Sequence, residues 1–274
     1  MTGTNNTLLA IARDTATRAG ELVRIRRRSQ VSVKGAKSTD TDVFTHADEE
    51  SEQYIRSAIL KARPHDGFLG EELGYTAGES GLTWVIDPID GTANYLYGLP
   101  GYNVSIAVVE GGAEPAGWTT LAGCVYDPVT NELFSAAADD GAYLGIRRLQ
   151  VVQDVALHFA LVGTGFGYQP DQRTRQAEIL TSIIGDVRDI RRGGAAALDL
   201  CSVASGRLDA FFSACLKPWD HAAGALIARE AGAKVGGLGG AAEDETLTLA
   251  AVPSLFDTLR RILEKNGAAR VLAG

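Results

Sequence analysis

Apolar residues in this chain recur at two spacings, and the order of these spacings restricts the fold more than any other feature. In residues 6–28 they recur every three or four positions, which predicts a helix with one buried face. In residues 103–109 they alternate, so that Val104, Ile106 and Val108 would share one face of a strand. Helical and strand patterns follow one another along the chain. We therefore predict an α/β (α+β) protein.

The same patterns give the expected order of elements. Further helices are predicted at residues 47–62, 172–184, 195–204, 220–231 and 254–265. Further strands are predicted at residues 83–86, 119–126, 132–138, 142–144, 156–162, 208–212 and 246–252. Small and polar residues predict a mobile loop at 35–41 and a second loop at 236–240. Because the pattern changes near residue 150, we expect two lobes, residues 1–150 and 151–274.

Composition restricts the class of partner and the compartment. The net charge of -8 argues against binding along a nucleic-acid backbone, which needs a surplus of Lys and Arg. Three scattered cysteines are too few for a disulfide framework and fit a reducing cytosol. No run of about 18 apolar residues is present, so we expect no membrane span. These features favour a cytoplasmic protein with a small-molecule partner.

Acidic residues form three clusters that follow apolar runs or open helices. The clusters are Gly70-Glu71-Glu72, residues 87–92, and Trp219-Asp220. Carboxylates at strand ends lie where an α/β fold places its ligands. A set of oxygen ligands without His or Cys suits a hard cation, so the clusters predict magnesium rather than zinc.

The cluster at residues 87–92 combines two kinds of binding group. We expect Asp87 to end a strand, Pro88 to take the first position of a helix, and Asp90 to follow one turn later. The unpaired N–H groups of Gly91 and Thr92 would then form an anion site at the start of the helix. Each cluster taken alone is more typical of a turn, a solvated loop or a helix cap than of a metal site, and only the combination favours a metal site.

Taken together, the clusters resemble the signatures of the inositol monophosphatase-like family. The matching strings are GEE at residues 70–72, DPIDGTANY at 87–95 and WDHAAG at 219–224, with further matches at 42–48 and 194–201. The similarity covers nearly the whole chain, and it is greatest to the actinobacterial, SuhB-type members of the family.

This resemblance implies a fold and an activity. The fold would be a layered αβαβα sandwich that usually forms homodimers, with the active site between the two lobes. The activity would be magnesium-dependent hydrolysis of a small phosphomonoester, a phosphorylated polyol or sugar, with inositol 1-phosphate as the first candidate. About two or three Mg²⁺ ions would bind in each active site, with Mn²⁺ as a substitute. Inhibition by lithium is a further property of the family.

The resemblance also assigns roles to individual residues. The metal ligands would be Glu71, Asp87, the Ile89 carbonyl, Asp90 and Asp220. The catalytic residues would be Glu71, Thr92 and Asp48, with Thr92 passing a proton from the attacking water toward Asp48. The substrate contacts would be Asp90, Gly91, Thr92, Ala196, Ser213 and Asp220. Lys37, in the predicted loop, would lie close to the active site.

One position departs from the family pattern and leaves the substrate open. Ser213 stands where inositol-specific members commonly have a Glu that binds ring hydroxyls, so selection for inositol should weaken unless Ser213 binds the sugar through water. Lys217 nearby is a candidate for holding an extra anionic group. The alternative substrates are histidinol phosphate, fructose 1,6-bisphosphate and phosphoadenosine phosphates. A regulatory role in an RNA-containing complex is the alternative to an enzyme.

Overall fold

The computed structural model describes residues 2–28 and 31–271, and this part of the chain has the predicted mixed α/β fold. The outermost residues of the two predicted lobes, residue 1 and residues 272–274, lie outside the described part. Among the described residues there are seven α-helices: α1 Thr2–Arg27, α2 His46–Ala62, α3 Thr92–Tyr97, α4 Pro170–Thr181, α5 Ala196–Ala204, α6 Pro218–Glu230 and α7 Pro253–Lys265.

The strands of the described residues form one hairpin and two larger sheets. The hairpin consists of β1 Val33–Ala36 and β2 Val43–Thr45. The strands of the eight-stranded sheet are β3 Gly67–Gly70, β4 Gly74–Thr76, β5 Leu82–Asp90, β6 Asn103–Glu110, β7 Thr119–Asp127, β8 Glu132–Ala137, β9 Gly141–Leu144 and β10 Arg147–Arg148. The strands of the five-stranded sheet are β11 Leu161–Thr164, β12 Asp189–Arg191, β13 Ala210–Ser213, β14 Lys234–Gly236 and β15 Thr248–Ala251.

Helices and sheets alternate in five layers, as the resemblance implied. Helices α1 and α2 pack on one face of the eight-stranded sheet, and α5 and α6 pack on its other face. The same α5 and α6 also contact the five-stranded sheet, whose β14 and β15 are in contact with α7. The α5–α6 layer therefore lies between the two sheets.

The hydrophobic core continues across this central layer. Val85 and Val125 of the eight-stranded sheet belong to the same buried cluster as Leu226 of α6 and Leu249 of β15. A second buried cluster fills the space between α1, α2 and the outer face of the eight-stranded sheet. The two sheets thus share one core.

The end of β5 differs from the sequence prediction. Pairing with β6 continues through Asp90, which is opposite Asn103, so Pro88 lies within the strand and not at the start of a helix. The register shifts between Asp87 and Asp90, and such an irregularity accommodates a proline that cannot donate to the ladder. Helix α3 begins only at Thr92, after Gly91 has turned the chain with a φ of 90°.

The predicted mobile loop at residues 35–41 is partly wrong, because Gly35 and Ala36 belong to β1. Gly35 was interpreted as a loop glycine, yet a Cβ on Gly35 would lie 2.8 Å from the Phe44 ring of β2. The glycine therefore permits close packing within a hairpin.

The strand predicted at residues 156–162 is displaced along the chain. Leu157–Phe159 is a 3-10 turn, and the strand itself runs over Leu161–Thr164 between β12 and β13. Its start is fixed by Asp209, whose Oδ2 accepts the Leu161 N–H at 2.7 Å. Short strands such as β4, β12 and β14 were not predicted, because their residues show no alternating pattern.

None of the helices in the described ranges is long and apolar enough to cross a membrane.

The turn that carries Glu71 and Glu72 is held by a buried carboxylate of α2. Glu52 is fully buried, and its Oε2 accepts the Glu72 N–H at 2.8 Å. Its Oε1 accepts from Arg56 Nε at 2.8 Å. The absence of a side chain on Gly70 leaves the room that this carboxylate occupies, since a Cβ there would lie 1.9 Å from Glu52 Oε1.

We expect Glu52→Ala to lower the free energy of unfolding by about 3 kcal/mol, because it leaves the Arg56 charge and the Glu72 N–H without their buried partner. Glu50→Ala on the same helix is the matched control, since Glu50 pairs with Arg26 at the surface and its loss should cost less than about 1 kcal/mol. Urea denaturation measures both. Equal losses in the two variants would contradict a special role for Glu52.

Candidate active site

A cavity of about 480 Å³ brings together residues from both sheets. Of the eleven site residues predicted from the sequence, ten line this cavity: Lys37, Glu71, Asp87, Ile89, Asp90, Gly91, Thr92, Ala196, Ser213 and Asp220. The remaining one, Asp48, is fully buried directly behind Thr92. The structure therefore gathers the predicted residues at one place.

Chain geometry explains why the carboxylates converge. Glu71 follows β3, and Asp87 and Asp90 lie at the end of the parallel neighbour β5, so all three are at the same edge of the sheet. Asp220 lies in the first turn of α6, in the layer between the sheets, where its Oδ2 accepts the Lys217 N–H at 2.7 Å.

Asp90 connects the end of β5 to the start of α5. Its Oδ1 accepts the Ala196 N–H at 3.1 Å, and its Oδ2 accepts the Ala197 N–H at 2.8 Å. Asn103 of β6 donates to the same Oδ2 at 2.7 Å. An acidic group at a helix start satisfies N–H groups that have no partner within the helix. The position of Ala196 at the cavity wall thus depends on Asp90.

Thr92 lies between the cavity and Asp48. The Thr92 hydroxyl is 3.3 Å from Asp48 Oδ1 and 3.0 Å from the Ile89 carbonyl oxygen. Asp48 itself is fixed by Thr45, whose N–H and hydroxyl donate to Asp48 Oδ2 at 2.8 and 2.6 Å. Burial raises the pKa of Asp48 to about 6, although the Thr45 hydrogen bonds oppose this increase. An aspartate that gains a proton near neutral pH is suited to proton exchange.

The clustered carboxylates repel one another. Burial, together with the charges of Glu71, Asp90 and Asp220, raises the pKa of Asp87 well above its usual value. Burial and the charges of Glu71 and Asp90 do the same to Asp220. Burial also raises the pKa of Asp90 to about 6, against the effect of its three hydrogen bonds. The carboxylates of the cavity therefore carry negative charge that the positively charged and hydrogen-bonding groups around them do not fully balance.

Among the described residues, Lys37 forms the ion pairs with this cluster. Its Nζ lies 2.8 Å from Glu71 Oε1 and 2.6 Å from Glu72 Oε1. Burial alone would lower the pKa of Lys37, but the charges of Glu71 and Glu72 raise it above its usual value. Lys37 thus compensates the two glutamates and leaves Asp87 and Asp220 without a cationic partner in the described part of the chain.

The donor set fits a hard divalent cation in its chemistry. It consists of carboxylate and carbonyl oxygens with an uncompensated negative charge, which is what Mg²⁺ binds in proteins. As the side chains lie, no three His, Cys, Asp or Glu within residues 2–28 and 31–271 surround a common metal position. This arrangement is consistent with mutual repulsion, with Glu71 paired to Lys37 and Asp90 hydrogen-bonded to α5.

Ser213 and Lys217, the two residues on which the choice of substrate depends, both already bond to other residues of the chain. Ser213 is almost completely buried, and its hydroxyl donates to the Ala214 carbonyl at 3.1 Å. Lys217 pairs with Glu245 at 2.9 Å at the rim of the cavity. The idea that Lys217 holds an extra anionic group therefore loses support, because its charge is already compensated.

Some residues of the cavity wall were given no role by sequence reasoning. These are Ser38, Asp42, Gln172, Arg192, Asp199 and Glu245. Two signals could have identified Asp199: it is the one acidic residue of the stretch 195–204, and it lies within the family match at residues 194–201. Burial and the charge of Asp90 raise its pKa to about 8, while Arg192 opposes this increase. Arg192 follows β12, a strand that was not predicted.

Comparison with known proteins gives a consistent result. A family model described as the inositol monophosphatase family matches residues 4–269. Inositol-1-monophosphatase SuhB of Mycobacterium tuberculosis is 41% identical over 95% of this chain and 94% of that relative. A relative from Haemophilus influenzae named Nus factor SuhB is 40% identical over 84% of this chain and 85% of its own length. The crystal structure of extragenic suppressor protein suhB from Bartonella henselae has a TM-score of 0.87, with 33% identity, and covers 94% of this chain and 99% of that one.

The repulsion within the cavity leads to a stability prediction for Asp87→Asn. Because the folded state raises the pKa of Asp87 well above its usual value, the contribution of this group to stability is fully present below the unfolded-state pKa and is lost as the pH rises toward the folded-state pKa. In buffer with EDTA at neutral pH we expect the variant to be more stable than the wild type by about 1 kcal/mol or more. The difference should shrink on acidification.

Chemical denaturation measures this effect, and Asp14→Asn is the control because Asp14 lies at the surface. Added Mg²⁺ should stabilise the wild type more than Asp87→Asn, since the variant has lost one carboxylate. An Asp87→Asn variant that is no more stable than the wild type in EDTA would contradict the repulsion.

Proposed function

Because this chain belongs to the inositol monophosphatase family, we propose that it hydrolyses a small phosphomonoester with the help of magnesium. The observation that supports this most strongly is the gathering of Glu71, Asp87, Asp90 and Asp220 in one cavity beside Thr92. A phosphomonoesterase needs binding groups for a cation, a proton acceptor for water and space for the ester. The cavity contains candidates for all of these.

The proposed metal ligands are Glu71, Asp87, the Ile89 carbonyl, Asp90 and Asp220. Magnesium bound there would compensate the carboxylates, bind a phosphate oxygen and lower the pKa of water. Gly91 and Thr92 would contribute their backbone N–H groups to the phosphate, and Gly91 has no side chain to obstruct it. The number of ions, replacement by Mn²⁺, inhibition by lithium and the homodimer stay predictions.

The proposed proton path runs through Thr92. A water molecule in the cavity would donate to the Thr92 hydroxyl, which passes a proton to Asp48 Oδ1 at 3.3 Å. The Thr45 hydrogen bonds to Asp48 Oδ2 keep this carboxyl oriented toward Thr92. Glu71 lies at the cavity wall and would orient the same water. Its carboxylate stays available for this role because the Lys37 ammonium group is paired with Glu72 as well as with Glu71.

The proposed substrate is inositol 1-phosphate, on the similarity to relatives named inositol-1-monophosphatase. Histidinol phosphate, fructose 1,6-bisphosphate and phosphoadenosine phosphates are the alternatives, since Ser213 replaces a hydroxyl-binding Glu. We expect kcat/KM to be greatest for inositol 1-phosphate in a panel of these compounds. A maximum at another compound would reassign the substrate, and a flat profile would indicate a broad phosphatase.

A second candidate function is association with a macromolecular complex, favoured by the likeness to relatives named Nus factor SuhB. The net charge of -8 disfavours direct binding to RNA and would direct such an association to a protein surface. Rescue of a deletion phenotype by an inactive Asp87→Ala variant, together with co-purification of a partner, would support this function over hydrolysis.

Thr92→Val tests the proton path with little change in size and no change in charge. We expect kcat toward inositol 1-phosphate to fall about 100-fold or more with a small change in KM, because the hydroxyl acts in proton transfer. Thr17→Val is the matched control, since among the described residues the Thr17 hydroxyl bonds only to the Arg13 carbonyl on α1, away from the cavity. Steady-state kinetics with excess Mg²⁺ measure both. Full activity in EDTA, or wild-type activity in Thr92→Val, would contradict the proposal.

A further inference from the structure

Asp199 is a buried acidic residue whose carboxyl group faces the cavity without a partner. It is 8% exposed and lines the cavity wall. Within residues 2–28 and 31–271, no hydrogen bond or ion pair is made by its side-chain oxygens. Neither of its oxygens is among the fully buried polar atoms of the described residues that lack a partner, so the cavity remains open to this carboxyl group. The Asp199 carboxyl group can therefore accept a hydrogen bond from a molecule in the cavity.

Asp90, not Asp199, caps the N-terminus of α5. The first N–H groups of α5, at Ala196 and Ala197, bond to Asp90, so Asp199 does not cap its own helix. Arg192 lies close enough to affect its charge, but the two form no salt bridge. The Asp199 charge suits the first turn of α5, but within the described residues its oxygens bond to no other side chain or backbone group.

The chain around Asp199 is shaped to hold its carboxyl group at the wall. A Cβ on Gly193 would lie 2.4 Å from Asp199 Oδ1, so the carboxyl group lies directly on this glycine. The Gly193 segment is itself fixed, because Asn94 donates to the Gly193 carbonyl at 3.0 Å and to the Gly101 carbonyl at 2.7 Å. The carboxyl group therefore occupies a fixed position one helical turn beyond Ala196.

We propose that the Asp199 carboxyl group accepts a hydrogen bond from a hydroxyl of the substrate's polyol or sugar part, and so selects hydroxylated phosphomonoesters. This deepens the proposed function and rests on it. Ser213 is a poorer candidate for this role, because it is almost completely buried and its proton is donated to Ala214. Asp199 is thus a specificity residue on α5 that takes over hydroxyl recognition where Ser213 has replaced the usual glutamate.

The test compares two esters that differ in their hydroxyl groups. Inositol 1-phosphate carries ring hydroxyls, whereas p-nitrophenyl phosphate carries none. The measured quantity is the ratio of kcat/KM for inositol 1-phosphate to kcat/KM for p-nitrophenyl phosphate. We expect Asp199→Ala to lower this ratio about tenfold or more, mainly through KM for the inositol ester. Asp199→Asn keeps one acceptor oxygen and should restore part of the ratio.

Gly193→Ala provides a second variant that leaves Asp199 in the sequence. Its added methyl group must displace the Asp199 carboxyl group, so we expect a similar decrease of the ratio. In the double variant Gly193→Ala/Asp199→Ala, the ratio of the two kcat/KM values should fall no further than in the single variant with the lower ratio. The reason is that both changes remove the same interaction. Full additivity would contradict the proposal.

Asp127→Ala is the control for the loss of a buried aspartate outside the cavity, since Asp127 is 5% exposed and binds the Val129 and Thr130 N–H groups. It should leave the ratio unchanged. An Asp199→Ala variant whose two activities fall equally, or not at all, would overturn this inference alone. A wild-type protein that hydrolyses neither ester would overturn the proposed function and this inference together.

Discussion

The hydrogen bonds of Asp90 are the interaction on which the cavity depends. Through Ala196 and Ala197 they connect the end of β5 to a helix 106 residues further along the chain. Without them, the first turn of α5 would have unsatisfied N–H groups, and the cavity wall would have no fixed distance from β5. One carboxyl group thus joins the eight-stranded sheet to the helical layer between the sheets while facing the space where a cation is proposed to bind. A substitution of Asp90 would therefore disturb both the connection of α5 to the end of β5 and the proposed metal site.

The layered fold follows from patterns that local sequence displays well. Long amphipathic segments identified α1, α2 and α7 to within a few residues, since their apolar stripes are set by the 3.6-residue period. The sequence patterns did not predict strand ends that depend on residues far away in the chain. The start of β11 depends on Asp209, and the extension of β5 through Asp90 depends on pairing with β6. Neither is visible from the residues of the strand alone.

The site was predictable where acidic residues stand in unusual strings, and these residues do meet in one cavity. The sequence could not reveal which hydrogen bonds and ion pairs these side chains form. Lys37 was expected near the site, but its ion pairs with Glu71 and Glu72 depend on a hairpin that was predicted as a loop. Asp199 lies in the family match at residues 194–201 but was given no role, because the sequence does not show that its carboxyl group lines the cavity without a partner.

The central position of α5 and α6 has a consequence for synthesis of the chain. The eight-stranded sheet is complete at Arg148, but the helices that pack on one of its faces begin at Ala196 and Pro218. A nascent chain emerging from the ribosome therefore presents a bare apolar sheet face, with Val85 and Val125, until much of the second half has been translated. Asp220 arrives with the helix that covers this face. Protection from aggregation and completion of the carboxylate cluster are thus reached in the same step of biogenesis.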